Sequence, residues 1–272
     1  MYEKSEKLGG KIAVGSIPKI KFDLRNYLAY LEKQVELCQE QYQLQVHKNT
    51  TVTAELLKEK AYDSVIFAYG TKEIFPPFEG REEANLILGT DLLEHPEKAE
   101  GANNIVIVGG GVVGCETAHW LANEYGRTLR FWKCCLIYDG VCTANRGHLL
   151  HYLEKSGVRL YNCTKVKALA KDGVYVEQNQ SQTVPDPYNT WQPLLPPNIP
   201  NPMEKAIKEE IVEKKIPADL IVLAMGGKAD ETFFFEAGEE HLAKEIYNIG
   251  DSSRAGRVLE AVRGAYHLAV RI

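Results

Sequence analysis

The segment from residue 104 to residue 118 constrains the fold most, because a short apolar run passes directly into closely spaced glycines. Residues 105–108 are Ile-Val-Ile-Val, the pattern of a buried parallel strand. Gly109, Gly111 and Gly114 follow as G-x-G-x-x-G. In such a turn the first glycine permits the sharp bend, the second lets a pyrophosphate approach the backbone, and the third lets a helix pack closely on the strand. A helix from about Val113 to Glu124 would direct its N-terminal N–H groups at that phosphate.

The same glycines are also compatible with an ordinary turn that binds nothing, because G-x-G-x-x-G alone is a weak signal. Here a strand pattern precedes the glycines, and Val113, Thr117, Trp120 and Leu121 follow at helical spacing. We therefore predict a site for a dinucleotide pyrophosphate. Its predicted contact residues are Gly109, Gly110, Gly111, Val112, Val113 and Gly114.

Composition narrows the classes of protein that remain. The 272 residues carry a net charge of −5, which argues against a nucleic-acid-binding surface. No apolar run approaches the roughly 20 residues that span a bilayer, and the N-terminus lacks the apolar core of a signal peptide. The six cysteines show no C-x-x-C or Cys/His spacing. We predict reduced thiols, no structural metal and a cytoplasmic location.

Other segments have recognisable helix, strand or loop patterns. The predicted helices are 22–40, 53–59, 141–156 and 258–270, the last with Val258, Ala261, Val262, Ala265, Leu268 and Ala269 on its buried side. The predicted strands are 42–46, 62–71 (buried), 128–137, 158–161, 166–170, 174–177, 219–223 (buried) and 245–249. Lys171-Asp172-Gly173 indicates a hairpin turn, and the proline-rich segment 179–202 is predicted to be an irregular surface loop.

Five segments together resemble a known superfamily. They are residues 2–10 (Tyr-Glu-Lys-Ser to Leu-Gly-Gly), 68–71 (Ala-Tyr-Gly-Thr), 108–116, 223–226 (Leu-Ala-Met-Gly) and 247–251 (Tyr-Asn-Ile-Gly-Asp). Their order is that of the pyridine nucleotide–disulfide oxidoreductases. The chain most resembles the C-terminal FAD/NAD(P)-binding module of NADH:flavin oxidoreductases related to 2-enoate reductase and 2,4-dienoyl-CoA reductase.

The resemblance implies an α/β chain with two interleaved Rossmann-like domains. Residues 1–100 and 233–272 would form the FAD-binding domain, and residues 101–232 the inserted NAD(P)-binding domain. Hydride would pass from NAD(P)H to FAD, and then to an iron–sulfur cluster and an FMN-bearing barrel. The flavin performs the chemistry, so no catalytic side chain is predicted.

The resemblance also assigns individual residues. Glu3 matches the acid that binds the FAD ribose, although taken without the rest of the chain it is better explained as a solvated terminal charge. The remaining matches are Gly9 and Gly10 in the following loop, Thr71 at the return strand, Gly226 and Gly250 at strand ends, Asp251 near the ribityl–pyrophosphate, and Val258 at the helix that faces the flavin. Glu116 is either a polar group beside the nicotinamide or a carboxylate stabilised by the helix dipole.

Three departures from the family pattern accompany this resemblance. The first strand and glycine loop of the FAD-binding domain are missing. The barrel and its cluster cysteines are absent, so they would belong to a separate domain or subunit. The cysteine pairs of disulfide reductases are also absent, which excludes dithiol chemistry. The third departure is that residues 129–137 stand where the family has an apolar strand ending in an acid.

This third departure matches a shifted reading frame. The codons GTT-ACG-GTT-TTG-GAA-ATG-CTG-CCT-TAT encode Val-Thr-Val-Leu-Glu-Met-Leu-Pro-Tyr, a family-like strand. One base later they encode Leu-Arg-Phe-Trp-Lys-Cys-Cys-Leu, which is residues 129–136. We hypothesise two compensating frameshifts between about Arg127 and Asp139, which resequencing the DNA would test. As written, Lys133 stands where an acid would favour NAD and a cation accommodates NADP, so the choice of nucleotide stays open.

Three functions follow from these observations. The chain is an oxidoreductase module in which NAD(P)H reduces FAD, or a nicotinamide-nucleotide-binding fragment that cannot hold FAD, or a folded remnant without function. A flavin absorption band separates the first from the others, and calorimetry with NADH and NADPH separates the second from the third.

Overall fold

A computed structural model describes residues 1–126, 129–132, 143–186, 196, 198–200, 202 and 205–272; for residues 129–132 and 143–146 it describes the backbone. The helices within these residues are α1 (Gly10–Gly15), α2 (Phe22–Tyr42), α3 (Ala54–Lys60), α4 (Gly89–Glu94), α5 (Val112–Tyr125), α6 (Thr143–Lys155), α7 (Thr232–Glu239) and α8 (Val258–Ala269). Short 3-10 helices cover Lys19–Lys21, Pro96–Ala99 and Gly250–Ser252. The strands are β1 (Ser64–Phe67), β2 (Thr71–Glu73), β3 (Leu86–Leu88), β4 (Ile105–Val108), β5 (Leu129–Trp132), β6 (Arg159–Tyr161), β7 (Thr164–Ala170), β8 (Gly173–Asn179), β9 (Ile211–Pro217), β10 (Leu220–Leu223), β11 (Gly227–Ala229) and β12 (Glu245–Asn248).

The chain forms two compact units, each assembled from separated segments. Named by their place in the sequence, the outer unit contains residues 1–16, 21–74 and 227–272, and the inner unit contains residues 17–20 and 75–226. These bounds differ from the predicted divisions at residues 100 and 232. Residues 75–100 belong to the inner unit because β3 pairs with β10, and residues 227–232 belong to the outer unit because β11 pairs with β2.

The inner unit is built on a five-stranded parallel sheet with the order β3-β10-β4-β5-β6. Every residue of β4 and β10 is buried, as expected for central strands covered on both faces. The Asp219 carboxylate accepts hydrogen bonds from the backbone N–H groups of Asn103 and Asn104, at 2.9 and 2.8 Å. These bonds hold the pKa of Asp219 below its usual range and fix the amino ends of β4 and β10 in register.

An antiparallel sheet, β7-β8-β9, packs against one face of the parallel sheet. The two sheets share a core that includes Val106, Val108, Ile221 and Leu223 on the parallel side and Leu169, Val174, Val176 and Ile216 on the antiparallel side. The predicted hairpin is confirmed, since Ala170 pairs with Gly173 across the two intervening residues. Strand β9 was not predicted, because Ile211–Pro217 interleaves apolar residues with Glu213, Lys214 and Lys215 on a mostly exposed edge strand.

The outer unit contains two small sheets. In one of them β1 runs parallel to β12, and in the other β2 runs antiparallel to β11. Its core contains Leu57, Phe67, Ala237 and Leu242, against which Phe233 and Phe234 pack. Phe235 is exposed, so the run of three phenylalanines divides between core and surface. Thr53 caps α3, its hydroxyl accepting the Leu56 N–H.

Several predicted elements of the outer unit were wrong. The predicted strand 42–46 does not form, because α2 continues to Tyr42 and the chain then turns through Gln43 in a left-handed conformation. The predicted buried strand 62–71 is only β1, and in it Phe67 alone is buried. Helix α8 is present, but no residue on its apolar side is fully buried.

Two other segments of the chain bear on the sequence predictions. The Asn179 side chain hydrogen-bonds to the backbone of Ser181 at the start of the proline-rich segment and of Lys208 and Glu210 after it. Much of that segment lies outside the described residues. Residues 127–128 and 133–139 of the proposed frameshift, including Lys133, also lie outside them. None of the described helices combines the length and apolar character needed to cross a bilayer.

Candidate dinucleotide-binding site

The glycine-rich segment forms the predicted strand, bend and helix. Strand β4 ends at Val108, and α5 begins at Val112, with Gly111 as its N-cap in extended conformation. Gly110 and Gly114 are buried, while residues 111–113 are exposed. The bend therefore presents its backbone to solvent and keeps the strand and the body of the helix packed together.

Two glycines in the bend have different physical roles. Gly109 has a φ of +122°, and a Cβ built on it would overlap the backbone carbonyl of Ala224. At Gly111 a Cβ would meet no heavy atom within 4 Å. The first glycine is required by close packing within the protein, whereas the second borders open space. A phosphate would use that space to approach the backbone.

The first N–H groups of α5 follow Gly111 directly in the chain. The Cys115 N–H donates to the Gly111 carbonyl at 3.1 Å, so residues 112–114 precede the first hydrogen bond within α5. Their N–H groups have no acceptor inside the helix, as at any helix N-terminus. With 14 residues, α5 also contributes a positive dipole end here. The residues present thus fit an anionic diphosphate.

Glu116 lies on the second turn of α5 and is half-buried. The first turn contains no acidic residue. Because the helix dipole acts mainly within the first turn, the interpretation of Glu116 as a dipole-stabilised carboxylate is weakened. A role beside the nicotinamide stays a prediction.

Glu3, in the outer unit, makes local backbone contacts. Its carboxylate accepts the Ser5 N–H at 2.8 Å, and its backbone N–H donates to the His47 carbonyl at 2.9 Å. Tyr2 forms an isolated parallel bridge with His47. The acid is therefore held at the end of a strand-like segment rather than free in solution, and its role toward a ribose stays a prediction.

The predicted Gly9–Gly10 loop and Thr71 are brought together by a residue that the sequence analysis missed. Gly9 and Gly10 both have positive φ and begin α1. Lys11, the next residue, donates a hydrogen bond through Nζ to the Thr71 hydroxyl. A lysine directly after the glycine pair was the available signal, because cations and glycine loops recur at phosphate sites.

Asp251 and Val258 lie at opposite ends of the segment that connects β12 to α8. The Asp251 carboxylate accepts the Gly256 N–H at 3.0 Å, which closes this segment into a turn. Gly250 has a φ of +64°. Val258 is the first residue of α8, where Glu260 accepts the Arg257 backbone N–H at 2.9 Å. Among the described residues of both units, no group of three or more His, Cys, Asp or Glu side chains could hold a metal ion.

Known proteins resemble this chain in sequence over almost its whole length. A bilirubin reductase from Mediterraneibacter gnavus is 25% identical over 267 residues, which cover 98% of this chain and 36% of that protein. An NADH oxidase from Thermoanaerobacter brockii is 23% identical over 274 residues, covering 100% of this chain and 37% of that protein. The chain therefore spans just over a third of the length of these relatives.

Solved structures share the fold. A 2-naphthoyl-CoA reductase complex superposes with a TM-score of 0.78 at 23% identity, over 100% of this chain and 36% of that one. A histamine dehydrogenase from Rhizobium superposes with a TM-score of 0.71 at 15% identity, over 98% of this chain and 39% of that one. These likenesses confirm the predicted α/β fold with interleaved Rossmann-like domains.

A sequence profile of one protein family, described as pyridine nucleotide-disulphide oxidoreductase, matches residues 4–255. This family binds FAD and NAD(P)H. The match covers most of the chain, with the whole inner unit and most of the outer unit. The chain therefore belongs to the pyridine nucleotide-disulphide oxidoreductase family.

Proposed function

We propose that this chain is the part of a flavoprotein oxidoreductase that binds FAD and NAD(P)H, with hydride passing from the nicotinamide to the flavin. The inner unit would bind NAD(P)H and the outer unit FAD. The observation that carries the proposal is the bend between β4 and α5. There, open space at Gly111 and the N–H groups of residues 112–114 are available to a diphosphate.

When bound, FAD and NAD(P)H supply the redox chemistry, and the residues of this chain bind and orient them. The α5 N-terminus would hold the nicotinamide dinucleotide through its pyrophosphate. In the outer unit, Lys11 follows the Gly9–Gly10 pair and contacts Thr71, which offers a cation and a hydroxyl. The backbone is open at Gly10, where a Cβ would meet no heavy atom within 4 Å. We assign these residues, with Glu3 and Asp251, to FAD.

The partner of this module would be a domain or subunit that accepts electrons from the flavin. The relatives are nearly three times as long as this chain, and their names include bilirubin reductase and NADH oxidase. We propose a barrel that carries FMN and an iron–sulfur cluster. That barrel would determine which molecule finally accepts the electrons.

A second candidate function is a nicotinamide-nucleotide-binding fragment that does not retain FAD. Both sheets of the outer unit have only two strands. No described strand of that unit turns through G-x-G directly into a helix, so the backbone donors found at β4 and α5 have no counterpart there. Each charge-assisted hydrogen bond missing from a pyrophosphate site would cost about 1.5–3 kcal/mol.

Two measurements on the purified chain test both candidates. The first is the absorption spectrum after FAD is added and unbound flavin removed, followed by anaerobic mixing with NADH or NADPH. A retained flavin band that is bleached by either nucleotide supports the oxidoreductase. The second is titration calorimetry with each nucleotide. Nucleotide binding without flavin retention supports the fragment, and binding of neither contradicts both.

A further inference from the structure

If the chain binds NAD(P)H as proposed, the bend between β4 and α5 has one side that holds the nicotinamide ring. In the fingerprint fold, the residue at the end of the second strand binds the adenosine ribose. Here that strand is β5, on one side of β4. Strand β10 lies on the other side of β4. Since a dinucleotide extends both ways from its pyrophosphate, the nicotinamide end would lie over the carboxyl end of β10.

Met225 occupies this position. Leu223 is paired with Val108, and the Ala224 N–H donates to the Val108 carbonyl at 2.8 Å, which extends the pairing by one residue. Met225 follows immediately, and its backbone nitrogen lies 3.2 Å from the position of a Cβ on Gly109. Met225 therefore lies at the edge of the bend that contains Gly109.

Exposure changes abruptly at Met225. The five residues from Leu220 to Ala224 are buried, whereas Met225 is 38% exposed. On the first turn of α5, Val112 and Val113 are 36% and 43% exposed. Val113 shares its helical spacing with Thr117, Trp120 and Leu121, which are buried, yet Val113 itself is exposed. Single exposed apolar residues are ordinary, but these three belong to the two chain segments that meet at Gly109.

The chemistry of these side chains suits an uncharged ring. The α5 N-terminus favours the anionic diphosphate, while the flanking apolar groups offer no hydrogen bonds to it. Methionine is flexible and polarisable, and its sulfur packs favourably against aromatic rings. We propose that Met225 is a positioning residue that packs against the nicotinamide ring and holds it over the carboxyl end of β10.

A comparison of two ligands isolates this contact. ADP-ribose has the adenosine and the pyrophosphate but lacks the nicotinamide. For Met225→Gln, Met225→Leu and the wild type, calorimetry would give the Kd of NADH and of ADP-ribose; if NADPH binds the wild type more tightly, NADPH and 2′-phospho-ADP-ribose take their place. We expect Met225→Gln to weaken the reduced nucleotide about fivefold to tenfold and to leave ADP-ribose unchanged. Met225→Leu should retain most of the affinity.

The matched control is Ile211→Gln, which makes a similar polar replacement at an exposed residue of β9. It should change neither Kd. If Met225→Gln causes a general structural defect, the binding of both ligands would weaken equally. If the Met225 side chain does not contact the ring, neither Kd would change. Either result overturns the inference while the proposed function stands. Failure of the wild type to bind either ligand overturns the proposed function and this inference with it.

Discussion

The backbone carbonyl of Ala224 occupies the space that a Cβ on Gly109 would need, so the end of β10 and the bend after β4 are packed without room for a side chain. Gly109 also has a φ of +122°, a conformation that side chains strongly disfavour. We expect Gly109→Ala to lower the free energy of unfolding by about 2 kcal/mol or more, from backbone strain and overlap. Urea unfolding followed by circular dichroism measures this. Unchanged stability would contradict the described packing.

Gly111→Ala is predicted to have the opposite profile. A Cβ at this position meets nothing within 4 Å, and the φ of −78° suits alanine. The stability of the protein should therefore stay within about 0.5 kcal/mol of the wild type. The added methyl group would instead occupy the space through which the pyrophosphate approaches. We expect at least a tenfold rise in the Kd of the nucleotide, measured by calorimetry. Full affinity in this variant would place the pyrophosphate elsewhere.

A group of aromatic side chains between α5 and α6 predicts a pH-dependent stability. The ring centroids of His119 and Tyr152 are 5.5 Å apart, and those of His148 and Tyr152 are 4.6 Å apart. Burial lowers the pKa of His119; His148 lowers it further, and Glu124 opposes the shift. The Nδ1 atom of His119 is buried without a hydrogen-bond partner. The folded state therefore favours neutral His119.

The sign of the effect follows from this lowered pKa. Below the unfolded-state pKa of about 6.5, the unfolded chain binds a proton that the folded chain resists, so stability falls as the pH falls. The stability contributed by neutral His119 is fully present only at pH values above this unfolded-state pKa. We expect the midpoint of thermal unfolding to decrease between about pH 7 and pH 5, and to decrease less in His119→Gln. His267→Gln, on α8, is the control and should keep the wild-type slope.

The parts of the inner unit predicted correctly from the sequence are those where local pattern and tertiary role agree. The apolar run 105–108 is a central strand, and the glycines after it need their conformations for a local bend. The hairpin at Lys171–Gly173 is also set by adjacent residues. Strand β9 was not predicted because its pairing with β8 is not local in the sequence. Five of its seven residues are exposed, so its sequence lacks the apolar pattern of a buried strand.

The outer unit was predicted less well because its short elements depend on distant partners. Strand β1 pairs with β12, which is about 180 residues away in the chain, and the two enclose little core. The contact between Lys11 and Thr71 joins α1 to β2 across 60 residues of the chain. Met225 was noted only as part of a motif, since its exposure depends on where β10 ends beside Gly109.

Asn179 is predicted to be a main stabiliser of the inner unit outside its apolar core. This buried side chain donates to the Lys208 carbonyl at 2.7 Å and accepts the N–H groups of Ser181 and Glu210 at 3.0 and 3.1 Å. It thereby joins the two flanks of the proline-rich segment. Asn179→Ala would leave the buried Ser181 N–H and the partly buried Lys208 carbonyl and Glu210 N–H without these partners, costing about 2–3 kcal/mol. Urea unfolding measures this cost, and Asn198→Ala, at an exposed position, should be neutral.

Lys11 provides a test of the FAD assignment that is independent of the nicotinamide site. Its Nζ donates to the Thr71 hydroxyl, and both residues belong to the outer unit. If this cation contacts the flavin nucleotide, Lys11→Met removes one charge-assisted hydrogen bond, worth about 1.5–3 kcal/mol. We expect the Kd of FAD, measured by quenching of flavin fluorescence, to rise at least tenfold. The Kd of NADH should not change, and Lys4→Met, at an exposed lysine in the same unit, should leave both constants unchanged. An unaltered FAD affinity in Lys11→Met would remove Lys11 and Thr71 from the proposed flavin site.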